Sequence, residues 1–243
     1  MKKNQTPAPG KPKNENSLEL TILMPCLNEE ANIADSIAAA KNFLEKHHIN
    51  GEILISDNGS TDNSVNIARQ MGARIVTEKK QGYGYALRCG INASKGSYTI
   101  IGDCDTTYDF ENIMPFLTEL RQGTDFVIGN RFAGGIEKGA MPFLHKYIGI
   151  PFLSFLGRIR YKVHIKDFHC GLRGFNTAYA QSLPYTSTGM EFATEIIARF
   201  AKTNGTIKEI PTTLSKSHLP RKPHLRTIHD GMRHLIFMLK KLP

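Results

Sequence analysis

In the stretch IIGDCDTTYD, residues 100–109, an apolar run that reads as a buried β-strand ends in Asp103, Asp105 and Asp109. Residues two apart on an extended strand project from the same side, so a strand persisting this far presents Asp103 and Asp105 to one shared point. Two carboxylates so placed suit a hard divalent cation. Mg²⁺ takes only one or two protein carboxylates and completes its octahedral shell with waters and substrate phosphates. Asp103 and Asp105 therefore read as half of a metal site, with a diphosphate supplying the other half. The competing reading is a helix cap, and for Asp109, directly ahead of FENIMPFLTEL, capping is the expectation.

A second polar cluster, DNGSTD (57–62), also follows an apolar run. Asn58 and Gly59 supply a turn, and Ser60, Thr61 and Asp62 can cap the next helix. Asp57, still at the strand end, could accept hydrogen bonds from a nucleobase N–H and ribose hydroxyls. Asn28 and Glu29, in PCLNEEAN, either line such a site or start the helix that follows. Glu191 and Glu195 stand four apart and share a helix face, either as solvated charges or with Glu191 supporting the site from just behind it.

The elements that would position these groups alternate as βαβα, which argues for a mostly parallel sheet covered on both faces. Strands are expected at about 19–26, 52–57, 74–77, 98–103 and 125–129, with helices at about 29–47, 62–71, 83–93 and 110–121. After Arg131 the alternation fails. A glycine-marked loop and an apolar, basic-interrupted stretch (143–163) lead to a helix near 190–203, a strand near 207–213 and a last helix near 225–241. Four strand ends then carry polar clusters towards one site, as ligand sites of parallel sheets require.

Composition bounds the rest. The 243 residues are 40% hydrophobic and 22% charged, enough for one substantial α/β domain. No run approaches the length of a membrane span. MKKNQTPAPGKPKNEN has no apolar segment behind Lys2 and Lys3, so it reads as a disordered basic leader (1–17) and the body is expected in the cytoplasm. The four widely spaced cysteines are expected to be reduced thiols. The net charge of +9 is concentrated in residues 216–243, where seven Lys and Arg face Asp230 alone. Such a tail suits nucleic acid, an anionic membrane or phosphorylated ligands.

The ordered set PCLNEEAN, DNGSTD, GYGYALRCG, GDCDTTYD and GNRFAGG resembles family 2 glycosyltransferases of the GT-A fold, within them the polyprenyl-phosphate branch of dolichyl-phosphate mannose or glucose synthases. The likeness runs from Leu18 to about Leu239, with a catalytic domain over 18–215 and a basic C-terminal helix over 216–243 for membrane or partner contact. It implies metal-dependent, inverting transfer of a sugar from a UDP- or GDP-sugar to polyprenyl (undecaprenyl) phosphate. Pro25, Asn28, Glu29 and Asp57 would contact the nucleoside, Asp103 and Asp105 the Mg²⁺ or Mn²⁺, and Arg131 would lie near phosphate. In KDFHCGLRGF (166–175), Arg173 would bind the acceptor phosphate and Asp167 would act as base or orient the acceptor, with an ion pair to Lys166 or Arg173 as the alternative. His169 would position groups, and Glu191 would stand behind the site. Where the family often carries a second acid after Asp57, this chain has Asn58.

The resemblance implies peripheral residence at the inner face of the cell membrane. FLHKYIGIPFLSFLGRIR (143–160) reads as an interfacial segment, against the alternative of a core helix pair. A separate membrane subunit is the other way to reach the bilayer, and a homo-oligomer is compatible with the sequence. Nucleic acid is not an expected partner, because a strand end dense in acids repels phosphates without a metal. DCDTT also resembles the nucleophile motif of haloacid dehalogenase-type phosphatases, but that fold opens with this strand and needs a later acidic pair, which is missing here. A saccharide or other hydroxyl acceptor is the nearer rival, and it would need a carboxylate base.

Overall fold

The computed structural model describes residues 17–217 and 227–240. Most of the expected leader, and Arg221, Lys222, Arg226 and Lys241 of the basic tail, lie outside the described residues.

Strand β1 (Leu20–Cys26) has every residue but Pro25 buried, as a central strand covered on both faces must. Helix α1 (Ile33–Lys46) follows and lays Ile33, Ile37, Ala40 and Phe43 against the sheet at helical spacing. Next come β2 (Gly51–Asp57), α2 (Ser64–Gln70), β3 (Arg74–Thr77), α3 (Tyr83–Ala93) and β4 (Tyr98–Ile101). A 3₁₀ turn (Phe110–Asn112) and α4 (Met114–Arg121) stand where one helix was expected. Pro115, which has no N–H to donate, sits in the first turn of α4 and marks the break. After β5 (Phe126–Asn130) come the short α5 (Arg131–Gly134), a π-helical turn (His145–Gly149) and α6 (Ile150–Tyr161). The chain continues through β6 (Arg173–Asn176), α7 (Thr177–Ser182), α8 (Phe192–Lys202), β7 (Ile207–Pro211) and α9 (Thr227–Leu239).

The seven strands are ordered β3-β2-β1-β4-β6-β5-β7. All pairings are parallel except those of β6, which runs antiparallel between β4 and β5, with Arg173 opposite Ile101 and Ile128. The sequence reading did not place a strand there. Four residues with one glycine are too short for a periodic signal, and the segment reads as loop until its partners are known. Because β6 is antiparallel to both neighbours, β4 and β5 point the same way, and their carboxyl ends share an edge with those of β1 and β2. Phe126, Phe175 and Phe200 pack together on the sheet in a core that includes Phe43, Phe110 and Phe192.

Candidate active site

At the carboxyl edge, the loops after β1 and β2 are laced together. Asn28, held at φ +55°, accepts from the Thr61 amide at 2.8 Å and donates its own amide to Ser60 Oγ at 3.0 Å. The Glu29 amide donates to Ser64 Oγ and the Glu30 amide to Asp62. Asn28 and Glu29 thus build a double loop, and α1 starts only after Asn32. Asp57, 4% exposed, turns its carboxylate onto the amides of Gly59 and Ser60 (3.2 and 3.0 Å). Of the residues expected to cap α2, Asp62 accepts from the Ser64 amide, whereas Ser60 is engaged with Asn28. Asn58 donates to the carbonyls of Glu78 and Lys80 and accepts from the Gly82 amide, tying this loop to the start of α3.

Beside this double loop lie the paired acids. Strand β4 ends at Ile101, two residues earlier than expected, so Asp103 and Asp105 stand on a bend and not on alternate positions of a strand. Asp105 is buried, and its Oδ1 accepts from the amide and hydroxyl of Thr107 at 3.0 and 2.5 Å. Asp103 is half-buried. Between the acids, Cys104 Sγ donates to the Pro25 carbonyl at 3.2 Å, joining the bend to β1. Asp109 caps the 3₁₀ turn through the Glu111 amide, as expected. The four cysteines are free thiols.

Gly171 faces this bend, and a Cβ there would stand 2.6 Å from Asp103 Oδ2 and 2.9 Å from the Tyr108 ring. Its amide donates to the Tyr108 hydroxyl at 2.8 Å. Tyr83, at the start of α3, lies near Asp103 and Arg173, and its burial together with Asp103 pushes the phenol upward. Neither tyrosine nor Gly171 was singled out in the sequence, although GYGYALRCG, GDCDTTYD and CGLRG contain them. Among the described residues no three His, Cys, Asp or Glu side chains gather into a ligand cluster. Two hard carboxylate donors beside a glycine whose missing side chain leaves the Asp103 carboxylate room suit a divalent cation that draws the rest of its shell from a diphosphate and water.

The second signature lies deeper. Asp167, fully buried, accepts from Arg131 Nε at 2.7 Å, from Nη2 at 2.8 Å and from the Arg131 amide at 3.1 Å. The partner weighed from the sequence was Lys166 or Arg173; the structure supplies Arg131, 36 positions earlier. This pair draws the Arg131 guanidinium, expected near phosphate, onto a carboxylate. Arg173, also expected at phosphate, gives Nε, Nη1 and Nη2 to the carbonyls of Cys170, Ala193 and Phe168 (2.7, 2.7 and 2.9 Å). It fastens the segment before β6 to α8.

Glu191 and Glu195 are both buried, which excludes the solvated-face reading. Glu195 accepts from Thr186, Ser187 and Arg199. Glu191 accepts from the amides of Thr188 and Gly189 and is gripped by Arg233 of α9 at 2.6 and 2.7 Å. Burial opposes its ionisation, but the Arg233 fork and the amides outweigh that and hold the carboxyl at about 2. Behind it, His234 donates to or accepts from Thr194 and meets the ring of His169 edge-on at 4.5 Å. Burial depresses both imidazoles, His234 to about 4 and His169 well below its ordinary value.

The profile described as Glycosyl transferase family 2 matches residues 21–183. A low-salt glycan biosynthesis hexosyltransferase, Agl6, of Haloferax volcanii is 38% identical over 227 residues, covering 92% of this chain and 54% of the relative. This chain thus spans about half the length of that protein. A dolichyl-phosphate hexose transferase of the same organism is 30% identical over 194 residues, covering 79% and 81% of the two chains. Among solved structures, glucosyl-3-phosphoglycerate synthase of Mycobacterium tuberculosis in complex with Mn²⁺, UDP and glucosyl-3-phosphoglycerate superposes with a TM-score of 0.69 at 18% identity, covering 91% and 79% of the two chains. That likeness establishes a shared GT-A-like fold.

Proposed function

Because the chain belongs to glycosyl transferase family 2, a family of transferases, we propose that it moves a hexose from a nucleoside diphosphate sugar to the phosphate of a polyprenyl phosphate, with inversion. The observation that carries this reading is the placement of Asp103 between the double loop after β1 and β2 and the Gly171 segment ahead of β6. In this reading the first face takes the nucleotide and the second the acceptor. The dolichyl-phosphate substrate in one relative's name, and the UDP and Mn²⁺ of the mycobacterial complex, support it. Residues 18–215 form the catalytic body in this reading, and 216–243 serve membrane or partner contact.

Pro25, Asn28, Glu29 and Asp57 would hold the nucleoside, and Asp103 and Asp105 would hold Mg²⁺ or Mn²⁺. When bound, such a cation would offset the charge that gathers on the departing nucleoside diphosphate. An oxygen of the acceptor phosphate forms the new bond to the anomeric carbon as the sugar–diphosphate bond breaks. That oxygen is already ionised near neutral pH, so no proton has to be removed. This agrees with the state of Asp167, whose carboxylate is committed to Arg131. The pair then sets the walls of the acceptor side. Glu191, gripped by Arg233, orders the loop 187–189 that packs on the start of α3.

The test is transfer from a panel of UDP- and GDP-hexoses to undecaprenyl phosphate in detergent with Mn²⁺ or Mg²⁺. At least one donor is expected to turn over, with Asp105→Ala slowing it on the order of 100-fold. If no nucleoside diphosphate binds in the presence of metal and Asp105→Ala changes nothing, the glycosyl-transfer reading is wrong. A saccharide acceptor is the second reading, favoured by the glycan-biosynthesis relative. Equal turnover with a phosphate-free saccharide would establish it in place of the lipid phosphate.

A further inference from the structure

The exposed apolar surface of the described residues is concentrated on one pair of helices and the turn before them. Among the described residues, eleven large hydrophobic side chains are exposed, and all but Phe132 lie between Phe143 and Ile159 or on α9. On α6 and the turn before it, Ile148, Phe152, Phe155 and Ile159 recur at helical spacing on one face, and Ser154 and Gly157 are buried on the other. A Cβ on Gly157 would stand 2.6 Å from the Phe168 ring, so this inner face is in close contact with the body. On α9, Met232, Ile236 and Leu239 repeat the pattern, with His234 and Met238 turned inward. Arg160 Nε donates to the Met238 carbonyl at 3.0 Å and so locks the two helices together. The core helix pair weighed from the sequence is excluded, because Phe143 is 73% and Ile159 64% exposed.

Charge identifies what this face meets. From Gly139 to Lys166 there is no Asp or Glu, while Lys146, Arg158, Arg160, Lys162 and Lys166 are spread along the segment. Lys146 and Arg158 lie over the rings of Tyr147 and Phe155 at 5.5 and 5.8 Å, apolar body and cation side by side. A water-soluble partner protein does not call for an acid-free stretch of this length. A sheet of anionic headgroups over acyl chains does, because large apolar groups enter the boundary while the lysines and arginines stay at headgroup level. No helix of the described residues is long and apolar enough to cross a bilayer.

We propose that the joint face of α6 and α9 lies flat on an anionic phospholipid bilayer, with Phe143, Phe152, Phe155 and Ile159 inserted. The topology gives this contact a direction. The segment leaves the sheet directly after β5 and returns ahead of β6, and the Arg131–Asp167 pair closes its base. It therefore springs from the edge that carries Asp103, and the bilayer lies at the end of the sheet where an acceptor would arrive. The surface carries this inference without the lipid-phosphate reading above.

The test is flotation of the purified chain with vesicles of phosphatidylcholine mixed with phosphatidylglycerol, containing no polyprenyl phosphate. Binding is expected to the mixed vesicles, to fall with added salt, and to be weak on pure phosphatidylcholine. Phe155→Glu and Ile159→Glu, both at exposed positions, should each weaken it about tenfold or more, since each removes an apolar side chain that would enter the bilayer and adds a repelled charge. Circular dichroism and unchanged affinity for UDP with Mn²⁺ serve as the check that the variants are folded. Absence of binding to the mixed vesicles, or binding indifferent to both substitutions, overturns the proposal. Concentration-dependent dimerisation abolished by the same substitutions, without vesicle binding, would assign the face to a second copy and overturn it as well.

Discussion

Asn58→Asp replaces a single side-chain NH₂ group by oxygen and should be costly. The Asn58 amide, 4% exposed, donates to the carbonyls of Glu78 and Lys80 at 3.1 and 2.8 Å, and its Oδ1 accepts from Gly82 at 2.7 Å. An ionised aspartate keeps the last bond, loses the first two and turns a negative oxygen towards two carbonyls. Two lost bonds at about 1 kcal/mol each, with the carbonyls left unsatisfied, give about 3 kcal/mol. With a urea m-value of about 3 kcal/mol/M, the unfolding midpoint falls by about 1 M at pH 7. Protonation restores a donor, so the new carboxyl titrates above its unfolded value of about 3.9. The neutral form therefore contributes stability that is present below about pH 4 and lost as pH rises through the folded pKa. The gap between parent and variant should accordingly be smaller at pH 4 than at pH 7. Urea titrations at both values decide the matter: midpoints that coincide at pH 7 would show that the clamp does not hold the loop.

Gly171→Ala should fold but lose metal-dependent affinity for UDP by about tenfold or more, measured by calorimetry with and without Mn²⁺, because the added methyl displaces the Asp103 carboxylate. Unchanged affinity would separate Asp103 from the cation site. Asp167→Asn should cost about 3 kcal/mol or more, since it leaves the buried Arg131 unpaired. Joint replacement by Arg131→Met and Asp167→Leu should cost less than either single change, and thermal unfolding reads both. Arg233→Met should remove about 1 kcal/mol at pH 7, a figure kept small because the arginine is about a third exposed. The Glu191 carboxyl is held at about 2, so that contribution is present above about pH 4.3 and lost as pH falls towards 2. Denaturation at pH 3 and pH 7 should show the variant converging on the parent at the lower value.

Much of the molecule is legible in local pattern. The apolar runs ending in PCLNEEAN, DNGSTD, GDCDTTYD and GNRF require buried parallel strands with their polar ends on one edge, and the spacing of Ile33, Ile37 and Ala40 requires a helix packed on that sheet. The apolar stretch 143–160 with its basic interruptions reads as an interfacial segment or as a core helix pair, and only the exposure of its aromatic residues decides between the two. The strand and helix readings rest on periodicities of two and 3.6 residues, and such periods are complete within a single element.

What tertiary structure alone decided is which charge meets which. Asp167 pairs with Arg131 and Glu191 with Arg233, across 36 and 42 residues, and Arg173 spends its guanidinium on three carbonyls. Strand β6 is recognisable only through its partners, because it runs antiparallel between β4 and β5. A side chain's type states what it can bind, but burial decides what it must bind, since an unpaired charge or donor inside the protein costs several kcal/mol. The partner that meets that requirement is whichever group the fold carries within about 3 Å, and no local spacing encodes it.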